Sequence, residues 1–261
     1  MASFWCYSCA IIFVVCSHVS GAAVPLKIDP KAKNALEQVI RSYSTIKSYH
    51  SQSRKIISSP NSVIKTEAFD FKIVKPNRLY YCHRINSRGH MVIEYLIISD
   101  GSYLWEYDAA TSTYTKNIAP KSLAKYPRIR FDSMDAAILT SDIKRDILYA
   151  PIESSLVHGF TYDISMGDSR KIDKKNLIVV KIIRNNDVVY NTMYYIGKVD
   201  HIIHRIVNSV TFSGAAGSAT ASDETKYDLM DPRAKFTAAD FKFTPPPYAK
   251  LVVTSQDPKK Y

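Results

Sequence analysis

The chain has 261 residues, 46% of them apolar and 23% charged, a composition that excludes a disordered polymer and allows a packed core. All-β barrels and sandwiches of this length commonly form one domain, so a second domain is not required. The net charge of +11 favours anionic partners such as a membrane surface. Its cations, including Lys55, Lys65, Lys72, Arg84, Arg184 and Arg205, are scattered through strand-like segments instead of lining one helix, and this argues against nucleic acid.

Residues 1–23 contain no charged side chain, so the remainder of the chain also carries +11. Their apolar stretch, Ala10 to Cys16, is far shorter than the roughly 20 residues that span a bilayer. Small residues follow at Ser20, Gly21, Ala22 and Ala23. We read 1–23 as a signal peptide cleaved near Ala22 or Ala23, although its start lacks the usual Lys or Arg. A lipoprotein signal acylated at Cys16 is the rival reading, and Val15 fits it poorly. Three of the 4 cysteines lie in this leader, which leaves Cys82 alone in residues 24–261. One cysteine forms no internal disulfide, so the core must hold the fold, with Cys82 as a buried structural thiol.

Asp29-Pro30 is a good helix start, an N-cap followed by a proline at the first helical position. Ala32, Ala35, Leu36, Val39, Ile40, Tyr43 and Ile46 then recur at helical spacing, predicting an amphipathic helix that ends near Tyr49. From Ser51 to Tyr107 the period becomes two. Phe69, Phe71 and Ile73 alternate with Asp70 and Lys72, and Leu79 and Tyr81 keep the parity beyond the Lys75-Pro76-Asn77 break. This predicts an antiparallel sheet with one covered face. Val92–Ile98 and Tyr103–Tyr107 read as strands joined by an Asp100-Gly101 hairpin. Between Pro120 and Gly159 the pattern is helical, with Pro151 as its stop. Strands resume at Phe160, Leu177–Ile183, Val188–Ile196 and His201–Phe212. Ser213–Ser222 reads as a flexible Gly/Ala/Ser/Thr loop. Tyr227–Met230, Phe241–Phe243 and Leu251–Val253 complete the sheet.

No phosphate-binding loop, zinc-binding His-Glu motif or nucleophile elbow is present in the sequence. His201 and His204, three apart on a strand, point to opposite faces and cannot share an ion. His83 and His90 flank a turn and read as surface residues. The acidic residues fall mostly at turns and on polar strand faces. No catalytic residue, metal or cofactor is expected, and the protein is read as a binding protein instead of an enzyme.

Three motifs in order carry a family resemblance: "FKIVKPNRLYY" (71–81), "IISDGSYLWEYD" (97–108) and "DFKFTPP" (240–246). Together, after a leader and an amphipathic helix, they resemble the LolA-like periplasmic outer-membrane lipoprotein carriers, with LolB and RseB in the same superfamily. The resemblance covers most of residues 24–261 and is thin across 109–239. It implies a mainly β fold with helices (α+β), an unclosed antiparallel half-barrel with a helical lid. It also implies a carrier, or chaperone, that shields acyl chains of lipoproteins or lipids in an apolar cavity without a cofactor. Such a protein would work as a monomer between the inner- and outer-membrane lipoprotein machinery.

Strand parity places Phe71, Ile73, Leu79, Tyr81, Ile93, Tyr95, Ile97 and Trp105 on the inner face, where they would line that cavity or pack as ordinary core. Leu36 and Ile40 belong to the lid helix. In the carriers an arginine before the Pro-Asn break latches the lid; here that position is Lys75, whose ammonium lacks arginine's planar fork and makes a looser latch. The alternatives are an RseB/MucB-like lipid-sensing regulatory module and a membrane-anchored LolB-like acceptor.

Overall fold

The computed structural model describes residues 26–122, 139, 161–172, 175–185, 188–214 and 217–253. The leader, and the helical pattern expected across Pro120–Gly159, lie outside the described residues apart from their margins and Leu139. That one leucine is buried in the main core.

After a short strand β1 (Leu26–Ile28), helix α1 spans Pro30–Thr45. Asp29 caps it by accepting from the Lys31 backbone N–H at 2.8 Å. Its buried face is Ala32, Ala35, Leu36, Val39, Ile40 and Tyr43, the stripe expected from helical spacing. The helix stops at Ile46 instead of near Tyr49, because Ser48 and Tyr49 already pair with Val74 and Ile73 in the sheet.

Twelve further strands follow among the described residues. They are β2 (Ser48–Ser59), β3 (Ser62–Val74), β4 (Arg78–Ser87), β5 (His90–Asp100), β6 (Tyr103–Asp108), β7 (Thr113–Ile118), β8 (Thr161–Ile172), β9 (Lys175–Asn185), β10 (Val188–Gly197), β11 (Ile203–Gly214), β12 (Gly217–Asp231) and β13 (Lys250–Leu251). They form one sheet in the order β1-β8-β9-β10-β11-β12-β2-β3-β4-β5-β6-β7-β13. Its two edge strands, β1 and β13, pair parallel with β8 and β7, and every other pairing is antiparallel. The edges do not pair with each other, so the sheet is unclosed: a mainly β half-barrel with α1 lying on one face.

The Asp100-Gly101 hairpin forms as expected. Asp100 Oδ1 accepts from the N–H groups of Ser102 and Tyr103, and Gly101 takes φ 98°. Two expectations need correcting. Within the segment expected as a loop, Ser213 and Gly214 belong to β11 and Gly217 to Ser222 to β12, paired with Ser213 opposite Ser218 and the Thr211 and Thr220 hydroxyls hydrogen-bonded at 3.0 Å. Small residues lack a hydrophobic pattern, yet cross-strand pairing holds them extended. Phe241–Phe243 is not a strand: Ala238–Phe241 is a 3-10 turn, with Asp240 closing it onto the Thr237 N–H at 2.9 Å.

Candidate functional site

The face of the sheet beneath α1 is the inner face, and its register follows from the pairings. Phe71 opposes Tyr81, which opposes Ile97, while Ile73 opposes Leu79. All five side chains are fully buried. On the other half of the sheet Ile164, Val180, Tyr194, Ile196 and Ile206 join the same cluster, together with Leu36 and Ile40 of the helix. Rings pack through it, Tyr43 edge-on to Tyr49 and Tyr49 tilted against Phe71, each pair 6.2 Å apart. Tyr194, buried there, has its phenol pushed up to about 12 by loss of water.

A helix of 16 residues is about 24 Å long. Thirteen strands about 4.8 Å apart span about 58 Å. The helix α1 therefore covers only part of the inner face.

Two of the expected cavity residues leave that face. A β-bulge lies between His83 and Arg84, so Tyr95 opposes His83 but Ile93 opposes Arg84. The extra residue, Glu94, reverses the parity, and Ile93 is 37% exposed. Tyr95 keeps its inward position and packs against the main core. Trp105 opposes Ile98, one residue out of step with Ile97, and joins a second cluster with Cys82, Leu96, Ile98 and Tyr107 on the outer face. The inner positions of β6 are Leu104 and Glu106.

The three motifs that carry the family resemblance meet on that outer face. Phe243 stacks on Trp105 at 5.8 Å and tilts against Tyr114 at 5.3 Å. Lys72 donates to Asp240 at 3.0 Å and lies over the Tyr80 ring. Asn77 donates to the carbonyls of Gly101 and Pro120, and Ser99 donates to the Asn77 carbonyl. The Phe243 and Asp240 contacts fasten the C-terminal segment to the sheet, and the Asn77 bonds tie the turn after β3 to the turn after β5, both structural tasks.

Towards the hairpin tips the inner face turns polar. Glu67 is buried with Lys65 at 2.7 Å and His83 Nε2 at 3.6 Å, while His83 Nδ1 lies 3.2 Å from Glu94. The His83 ring stacks on Phe69 at 4.7 Å, so it is interior and not the surface residue expected. Burial pushes the Glu67 carboxyl up, but hydrogen bonds from His83 and Lys65 outweigh this and hold it at about 2. Beside them Tyr95 donates to Glu106 at 3.4 Å. There burial prevails, and Glu106 is raised above the usual carboxylate range against the hydrogen bonds from Tyr95 and Thr115. Both Glu67 and His83 sit on the odd parity of their strands, the sequence signal that marks them as inward. His90 is exposed, as expected.

Lys75 is half-buried where β3 ends, and burial lowers its ammonium pKa. His204 contacts Asp200 at 2.9 Å and Lys175 at 3.2 Å. Among the described residues no group of three or more His, Cys, Asp or Glu is placed to hold a metal, and no helix is long and apolar enough to cross a membrane.

No protein-family model matches the chain, and no curated protein matches it. Several solved structures are similar to it over most of its length. An uncharacterized conserved protein from Thermus thermophilus is 11% identical, covering 86% of this chain and 99% of its own, with a TM-score of 0.43. LprF from Mycobacterium bovis is 12% identical over 81% and 97%, also at 0.43. A LolA superfamily protein, NE2245 from Nitrosomonas europaea, is 11% identical over 81% and 97%, at 0.32. At these values the likeness transfers no function.

Proposed function

We propose that the protein is a non-catalytic carrier that shields acyl chains of lipids or lipoproteins on the inner face of its half-barrel. One observation carries the reading: the thirteen-stranded sheet is more than twice as wide as α1 is long, so among the described residues α1 alone does not span its inner face. In this account residues 1–23 are a signal peptide and 24–261 a single domain that works in the periplasm as a monomer, relaying lipoproteins towards the outer membrane. Phe71, Ile73, Leu79, Tyr81 and Ile97, closed over in this structure, and Tyr95 contact the acyl chain once the lid, Leu36 and Ile40 of α1, moves aside. Each buried methylene contributes about 0.8 kcal/mol. The polar belt of Glu67, His83, Tyr95 and Glu106 marks where the apolar lining ends. Lys75, half-buried and partly stripped of water, acts as the latch.

A fatty acid bearing a photoreactive group in its chain tests the site. After irradiation, peptide mapping should find label within 71–81 and 95–97. Label confined to the outer cluster around Trp105 would contradict the assignment. Lys75→Leu should speed both uptake and release of the same probe; unchanged rates would remove Lys75 from the latch role.

A further inference from the structure

The sheet has two ends. One holds the turns after β3, β5 and β10, together with the C-terminus of α1. The other holds the tips of the β2–β3, β4–β5, β9–β10 and β11–β12 hairpins, as their pairings require.

Exposed apolar side chains collect at these tips. Val63 is 61% and Ile64 64% exposed in the β2–β3 hairpin, and Met91, Val92 and Ile93 are exposed beside them in β4–β5. Phe212 is half-exposed near the tip of β11–β12. Clustered apolar groups on a surface mark a contact with something apolar.

The charges next to the β2–β3 and β4–β5 tips are cationic. Residues 54–66 contain Arg54, Lys55 and Lys65 and no acid, and residues 84–93 contain Arg84 and Arg88 and no acid. Across residues 206–222, the stretch of the neighbouring β11–β12 hairpin, the sequence carries no charge at all. The nearest carboxylates are engaged: Glu67 and Glu94 by Lys65 and His83, Asp228 by Arg54, Glu224 by Arg205 and Asp223 by Asn208. In the sequence, Asp187 falls between β9 and β10, shortly after Arg184. Apolar tips with Arg84 and Arg88 beside them and their nearest carboxylates already paired suit an anionic lipid bilayer: the tips enter the boundary between headgroups and chains, and the cations face phosphates.

We infer that this hairpin rim docks the protein on anionic lipid membranes, inserting Val63, Ile64 and Met91 with Arg84 and Arg88 at headgroup level. The inference rests on the carrier reading only for its purpose, since a docked rim turns the polar end of the inner face towards the bilayer; the docking itself stands on the exposed tips and their charge.

Sedimentation of the full chain, as its host processes it, with phosphatidylcholine vesicles and with vesicles containing phosphatidylglycerol tests the docking. Binding should require phosphatidylglycerol and weaken as salt rises. Val63→Asp/Ile64→Asp and, separately, Met91→Asp should each cut binding at least about tenfold. Val199→Asp should not; that residue is 92% exposed at the opposite end. Unaltered circular dichroism would show the variants folded. Equal binding by wild type and both tip variants, or an equal loss from Val199→Asp, would overturn the inference. Uptake of a fatty acid in vesicle-free solution reads the carrier function separately. Retained uptake with lost sedimentation in the tip variants supports docking by the rim, whereas failed uptake in the wild type counts against the carrier reading alone.

Discussion

Glu67 and Glu106 stand on the same inner face, and their carboxyls are displaced in opposite directions for opposite reasons. At Glu67 the cations win over burial and hold the folded-state value at about 2, below the ordinary 4.5. A depressed carboxylate adds stability above its unfolded value and loses it as pH falls towards the folded one. Wild type should therefore lose stability between pH 4.5 and pH 2 more steeply than Glu67→Gln in urea unfolding. At Glu106 burial wins, so the folded protein holds a proton more readily than the unfolded chain, and the bare charge costs stability at neutral pH. Glu106→Gln should then be more stable than wild type at neutral pH, with the gap closing as pH falls through the raised value. A gap that widened on acidification would contradict the burial argument. Cys82 is fully buried, and burial pushes its thiol up. Alkylating reagents should reach it only at the rate of unfolding.

At the scale of elements, α1 packs its apolar stripe into the main core on the inner face. Leu36 is fully buried against the sheet, so Leu36→Ala should cost about 2–5 kcal/mol in denaturant unfolding. The C-terminal segment is fastened on the other side by the stack of Trp105 and Phe243, for which a double-mutant cycle should give a coupling of about 0.5–1.5 kcal/mol. Zero coupling would mean that the rings are merely adjacent. These elements also show what could be read in the sequence. The α1 stripe and its Asp29 cap were legible because period and capping are local. The parity of Phe69 to Ile73 was legible because one face of β3 is apolar and the other is not. Trp105 was not, since Tyr103-Leu104-Trp105-Glu106-Tyr107 is apolar on both faces and the C-terminal segment that covers its outer side lies more than 130 residues away. Ile93 was misplaced by one inserted residue, because a bulge leaves no mark in an alternating pattern but reverses every side chain beyond it.

Seen whole, the described part of the molecule is one sheet from Leu26 to Leu251, with both faces partly covered by chain from its own ends. The inner face takes α1, and the outer face takes the segment around Phe241 and Phe243. Sequence patterning could give the strands and the helix, but the width of the sheet against the length of α1 emerges only when the strand order is known. That comparison is the basis of the carrier account. Native mass spectrometry on the protein purified without detergent tests it most directly. The account predicts a bound mass matching a fatty acid, phospholipid or acylated peptide, exchangeable for an added fatty acid and retained in Trp105→Ala. A bare protein mass that stays bare after incubation with fatty acids would mean that the inner face is closed core, and would contradict the account.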